Sequence, residues 1–212
     1  MGKIFGYGEK EMDYLCKKDK KLGEVINRLG FIERAVISDL FEALVNSIAG
    51  QQISSKALET VWGRITERLS PITPEHFCEI SDEEIRACGL SARKAGYIKS
   101  AAQRFADGSL NAEELKSLPD EELIKRLTEL DGIGKWSAEM LMLFSLERMD
   151  VLSCGDFGIK RGLRMLYHHR EITPELFERY RKRYSPYGSV ASLYLWAISA
   201  GAVEGMYDPA QK

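Results

Sequence analysis

Residues 130–139 read Leu-Asp-Gly-Ile-Gly-Lys-Trp-Ser-Ala-Glu, and residues 154–158 read Cys-Gly-Asp-Phe-Gly. Ahead of the first stretch, Leu123, Leu127 and Leu130 recur at helical spacing; behind it, Met140, Leu141, Leu143 and Phe144 form a second helical run. The chain must therefore make a helix, a tight glycine turn and another helix. Glycine has no Cβ, so the turn can adopt dihedrals closed to other residues and its backbone N–H groups can approach a ligand closely. An anion, above all a phosphate, suits N–H groups exposed at a helix N-terminus. Gly-x-Gly also occurs in plain helix–helix turns, so at this point phosphate binding and a purely structural turn both stand.

The rest of the chain reads as helix too. Tyr14, Leu15, Leu22, Val25, Ile26 and Leu29 form a first amphipathic pattern that stops at Gly30. Ser38 and Asp39 can cap a helix with the stripe Leu40, Phe41, Leu44, Val45 and Ile48, which breaks at residues 50–53, Gly-Gln-Gln-Ile. Ser54 or Ser55 starts the next, with Leu58, Val61, Trp62, Ile65 and Leu69 turned inward. Ser81 and Glu84 have capping-box spacing for a short helix ending at Gly89. Ser91 opens a helix carrying Ile98, Ala101, Ala102 and Phe105 to Gly108. Thr173-Pro174-Glu175 is a further N-terminus, and a last helix runs from about Ser189 through Leu193, Trp196 and Ala197. No stretch alternates with period two. The expected fold class is all-α.

A chain of 212 residues buries enough surface for one domain or two interlocked lobes. With 44% hydrophobic and 29% charged residues it falls in the ordinary globular range, and its net charge of −2 means that a nucleic-acid partner must be held by a local patch. Residues 155–185 hold eight Lys/Arg against four Asp/Glu, whereas residues 111–131 hold three against seven. Such asymmetry marks either a binding surface or solvated helix faces. Cys16, Cys78, Cys88 and Cys154 have no paired spacing, which fits a reducing cytoplasm (nucleoid-associated in a prokaryote) and neither a disulfide framework nor a zinc site. The apolar run over residues 190–203 is short for a bilayer and interrupted by Ser192 and Ser199, so no membrane partner is expected.

Leu-x-Gly-Ile-Gly-x-Trp-Ser-Ala followed by Gly-Asp-Phe-Gly resembles the helix-hairpin-helix DNA glycosylases, within them the 3-methyladenine DNA glycosylase II branch. The resemblance runs from about Tyr14 to Ala200. It implies a two-lobed helical bundle with a cleft between the lobes: a central lobe over about residues 36–150, with the hairpin at 123–146, and a second lobe built from the N-terminal segment and about 151–212. Larger members carry an N-terminal β domain, and this chain looks like the compact form. Some relatives bind an iron–sulfur cluster through four late cysteines; with no cysteine after Cys154, no such cluster is expected.

By the same resemblance Asp156 falls on the catalytic aspartate. Cleaving an N-glycosidic bond builds positive charge on the sugar, which a fixed carboxylate stabilises, and the same group can orient or deprotonate water. Asp156 can equally N-cap the helix that follows, and the two roles are compatible. Bifunctional relatives place a Schiff-base lysine where this chain has Trp136, with Lys135 one residue out of register, so hydrolysis without strand cleavage is expected. Trp136 is otherwise a core aromatic. Electron-rich rings attract cationic alkylpurines, and Trp136 and Tyr187 are the expected base pocket with Met140, where the family has an aromatic; Trp62 and Trp196 have spacing suited to core packing. The family's arginine after the Pro-aromatic pair is Gly188 here.

Gln52 matches the family's wedge, the side chain that fills the stack when a base is flipped out, although Gln51-Gln52 also reads as a polar helix junction. Gln51, Gly132, Gly134, Lys135, Ser137, Lys160 and Arg161 are the expected DNA contacts, and the carbonyls of Thr128, Leu130 and Ile133 the expected ligands of a structural monovalent cation. No other cofactor is expected. The implied function is excision of alkylated purines from double-stranded DNA by a monomer. The alternatives are a glycosylase for deaminated or oxidised bases and a non-catalytic DNA-binding module.

Overall fold

A computed structural model describes residues 3–211 and is all-helical; the β-type pairing among them is an isolated bridge, Ile4 to Ala35. In chain order the helices are α1 (Glu9–Lys18), α2 (Lys20–Leu29), α3 (Leu40–Gly50), α4 (Ser55–Arg68), α5 (Pro74–Glu79), α6 (Asp82–Ala87) and α7 (Ala92–Ala106). They continue with α8 (Ala112–Ser117), α9 (Asp120–Thr128), α10 (Lys135–Phe144), α11 (Phe157–Tyr167), α12 (Pro174–Tyr184) and α13 (Gly188–Ser199). None is long and apolar enough to cross a membrane. The chain forms two compact units, one of residues 37–146 and one in which residues 1–36 join residues 147–212.

Caps set most boundaries. Asp39, Ser54, Ser81 and Ser91 each accept the N–H three residues on, as their sequence positions predict. The pattern expected as one helix between Tyr14 and Gly30 is two, broken at Asp19, whose backbone ends α1 and whose carboxylate caps α2 through Leu22 N–H. The inward face expected of α4 is also narrower: Ile65 and Leu69 are buried, while Leu58, Val61 and Trp62 are only partly covered. In this unit Phe41 of α3 packs edge-on against Phe77 and Phe105, with ring centroids 5.6 and 5.7 Å away. Leu123 and Leu127 of α9 and Leu141 and Leu143 of α10 bury the two arms of the glycine turn.

In the other unit α11 lies against α13 so closely that a Cβ on Gly162 would sit 2.3 Å from the Leu195 carbonyl oxygen. Buried serines tie the segment before α11 to α13. Ser189 Oγ accepts the Val151 N–H, Ser192 Oγ donates to the Val151 carbonyl, and Asp150 accepts the Gly188 N–H. The serines that interrupt the apolar run at residues 190–203 thus include one that orders the approach to Asp156.

Asp19 anchors the N-terminal segment of this unit. Its buried carboxylate accepts from Tyr167 Oη at 2.6 Å, Arg183 at 2.6 Å and Leu22 N–H at 3.0 Å. Burial works to raise the Asp19 carboxyl, but these hydrogen bonds outweigh it and hold it below the usual carboxylate range. The unfolded chain, whose carboxyl titrates near ~3.9, therefore takes the proton first. This contribution is complete above roughly pH 4 and is lost as the pH falls through the folded-state value. Asp19→Asn should cost about 2 kcal/mol at pH 7, below the range for fully buried pairs because the Arg183 side chain is 42% exposed, and less at pH 3. Urea unfolding at both pH values checks this; an equal cost at both would contradict it.

Candidate DNA-binding hairpin and aspartate site

The glycine turn is shaped by its neighbours. Gly132 has φ +79°, and a Cβ there would meet Tyr97 Cδ2 of α7 at 2.3 Å, so both backbone strain and crowding require glycine. Gly134 differs: it is the N-cap of α10 in extended backbone, with no atom within 4 Å of the place its Cβ would take. Gly134 has no side chain with which to cap α10, so it supplies no acceptor to the backbone N–H groups of the first turn. Lys135 and Trp136 on that turn are exposed, Trp136 by 48%, which sets aside its reading as a core aromatic. Ser137 is 7% exposed, so its expected contact falls to the backbone N–H; Met140 is partly covered one turn on.

The loop of residues 51–53 belongs to the same assembly. Gln51 Nε2 donates to the Gly132 carbonyl at 2.8 Å. From α7, Lys94 Nζ donates to the carbonyls of Ala49 and Gln51 at 2.9 and 2.7 Å, completing the C-terminal end of α3. Gln51 is thus a bridge between loop and hairpin. Gln52 next to it is exposed at φ +58°, in the left-handed region. Gln52 is thus exposed directly after a residue held twice, by Gly132 through its amide and by Lys94 through its carbonyl. Lys94 and Tyr97, which fix loop and turn, were legible in sequence only as residues of an amphipathic helix.

Asp156 lies in the other unit. It is 7% exposed and N-caps α11, its Oδ1 accepting the Ile159 N–H at 2.8 Å. The same oxygen accepts Trp196 Nε1–H at 2.9 Å. Trp196, assigned by its spacing to the core, is instead a partner of the candidate carboxylate. A signal for it exists: Gly158 and Gly162 stand four apart on one helix face, the spacing that lets another helix approach. Tyr187, the N-cap residue of α13, packs edge-on against Tyr14 with centroids 5.0 Å apart.

The basic segment is less open than its count of charges suggests. Arg164 forms a two-pronged pair with the buried Asp208, and Arg161 lies 3.7 Å from the same carboxylate. Arg181 pairs with Glu178 and Arg183 with Asp19. Arg161 and Lys160 are both partly exposed, Arg161 with its guanidinium beside Asp208. Around the acidic segment, Arg104 and Arg126 both reach Glu129. A cavity of about 480 Å³ opens over Asp19, Tyr167 and Arg183, and none of the expected site residues lines it.

Residues 45–186 match the family model described as HhH-GPD superfamily base excision DNA repair protein. DNA-3-methyladenine glycosylase 1 of Schizosaccharomyces pombe is 37% identical over 164 residues, covering 75% of this chain and 72% of that protein. A crystal structure of DNA-3-methyladenine glycosidase from Bacillus halodurans superposes with TM-score 0.83 at 34% identity, over 99% of this chain and 97% of that one. A 3-methyladenine DNA glycosylase of S. pombe, in complex with abasic DNA, gives TM-score 0.80 at 32% identity over 90% and 97% of the two chains.

Proposed function

The chain belongs to the HhH-GPD superfamily of base excision DNA repair proteins, and from that premise we propose that it is a monofunctional DNA glycosylase. It flips alkylated purines of the 3-methyladenine and 7-methylguanine type out of double-stranded DNA and hydrolyses their glycosidic bonds. The observation that carries this reading is Asp156, a buried carboxylate held by two hydrogen-bond donors, in a chain similar across most of its length to 3-methyladenine glycosylases.

The roles divide between the units. The N-terminus of α10, with glycine as its N-cap, and the Gly-Ile-Gly turn take the DNA backbone through N–H groups, with Lys135, Lys160 and Arg161 adding charge. Gln52 enters the stack, and Gln51 braces its loop against the turn. Trp136, Tyr187 and Met140 are the base-pocket candidates. Asp156 stabilises the cationic sugar as the bond breaks and orients the attacking water; the alkylated base leaves readily because it already carries positive charge.

The carbonyl oxygens of Thr128, Leu130 and Ile133 form a hard donor set for a monovalent cation. The Leu130 oxygen accepts the Ile133 N–H at 3.0 Å and keeps a second lone pair for an ion. Such an ion would add positive charge at the hairpin. The protein acts as a monomer in the cytoplasm.

The test is base release from methylated DNA, identified by chromatography, beside duplexes carrying one deaminated or oxidised base. Release of 3-methyladenine and 7-methylguanine is expected; release from the other duplexes alone would move the assignment to another lesion class. Because Trp136 stands in place of a nucleophilic lysine, the product strand should stay intact until alkali is added. Efficient borohydride trapping of an enzyme–DNA adduct would contradict this and implicate an amine such as that of Lys135.

A further inference from the structure

We propose that Trp196 is a positioning residue for Asp156: its indole N–H fixes the plane of the carboxylate, and the glycines of α11 give it access. The inference rests on Asp156 being the catalytic carboxylate.

The second torsion of an aspartate side chain lies in a broad well, so a carboxylate held by one donor still swings about its Cβ–Cγ bond. Ile159 N–H, the ordinary capping donor, supplies one restraint on Oδ1 at 2.8 Å. Trp196 Nε1–H, from a residue forty positions away on α13, supplies a second on the same oxygen at 2.9 Å. Two donors from different elements define the orientation of the group where one defines only a distance. The partly exposed indole also covers the buried carboxylate.

The approach depends on two missing methyl groups. Gly162 lets the α13 backbone come down onto α11, since a Cβ there would lie 2.3 Å from Leu195 O and 2.9 Å from Leu195 C. Trp196, the next residue, is thereby brought over Gly158. A Cβ on Gly158 would sit 2.8 Å from Trp196 Cδ1, 3.3 Å from Trp196 Nε1 and 3.2 Å from Asp156 Oδ1, in the space the hydrogen bond occupies. Neither glycine has positive φ, so the requirement is for room, not for a special backbone conformation. A tryptophan present only to fill the core would need no donor–acceptor contact with a capping carboxylate.

The test is a double-mutant cycle on single-turnover excision of 7-methylguanine, with spontaneous loss subtracted. Trp196→Phe keeps an aromatic ring and removes the N–H; it should slow excision roughly tenfold, the scale of one hydrogen bond to a charged group, with DNA affinity unchanged. In an Asp156→Asn background the same substitution should cost almost nothing, because orienting a group that has lost its charge gives no advantage. If the indole acts by packing or by touching the base, its cost recurs in full in that background, and this outcome overturns the proposal. A wild-type rate for Trp196→Phe overturns it as well. Gly158→Ala, which pushes the indole off the carboxylate from the other side, should show the same dependence on Asp156. Should these variants not fold, the wild-type protein still answers: the Trp196 indole proton should exchange with solvent far more slowly than in free indole, and equal exchange rates would exclude the bond. A normal rate for Asp156→Asn alone would instead remove the assignment of Asp156.

Discussion

Replacing Asp156 with asparagine is expected to slow single-turnover excision by roughly 10²-fold or more, the scale of one lost transition-state electrostatic contact. The structure makes this substitution unusually clean. Asparagine is as good an N-cap as aspartate, and its carbonyl oxygen can accept from both Ile159 N–H and Trp196 Nε1–H in place of Oδ1. Fold and local geometry should survive while the negative charge disappears. DNA affinity should hold or rise slightly, since a carboxylate that repels phosphates has been removed. A neutral substrate base should lose more than 7-methylguanine, whose glycosidic bond is already weakened by charge. Single-turnover rates, with folding checked by circular dichroism, measure the effect. A near-wild-type rate in a folded variant would leave Asp156 as a helix cap alone.

The observed cap and the proposed catalyst coincide at Asp156, which explains how much the sequence could say about it. Caps are local: a short polar side chain three residues before its N–H partner is visible at Asp39, Ser54, Ser81 and Ser91 as well as at Asp156. The helical periodicities were legible for the same reason, since each depends on neighbours within a turn or two. Asp19 exceeded that reach: an apolar stripe continues on both sides of it, and only its bonds to Tyr167 and Arg183, more than a hundred residues away, show it as a junction. Trp196, Lys94 and Tyr97 are of the same kind. Each acts on a residue distant in sequence, through an indole N–H, an ammonium or a ring edge whose target periodicity does not specify. Periodicity read Trp196 as core because its position on α13 is compatible with core; the polar end of the ring, and the glycine pair opposite it, carry the other meaning. The charge count cannot see pairing: Arg164 and Arg183 bind Asp208 and Asp19, and Arg161 lies beside Asp208, while Arg161 and Arg183 stay partly exposed.

Gly134→Asp should weaken binding to every duplex by about 30-fold or more, whatever its lesion, with no loss of stability. The two halves of this expectation have separate causes. Gly134 lies in extended backbone at the N-cap of α10, and its absent Cβ has open space around it, so an aspartate enters without clash or backbone strain. Aspartate is moreover a preferred N-cap, able to accept N–H groups of the first helical turn, so the melting temperature should hold or rise. Those are the N–H groups assigned to the DNA phosphate. The substitution therefore occupies the phosphate's donors and sets a negative charge against it, a repulsion of about 2–3 kcal/mol at close range near a protein surface, shrinking as salt rises. Gly132→Ala tests the same turn less cleanly, because strain at φ +79° and the collision with Tyr97 would disturb the fold itself. Affinities for undamaged and abasic duplexes over a salt series distinguish the causes. A parallel fall on both duplexes, with a shallower salt dependence than wild type, is the result expected when one phosphate contact is lost. Unchanged affinity in a variant of undiminished stability would move the phosphate contact away from this hairpin.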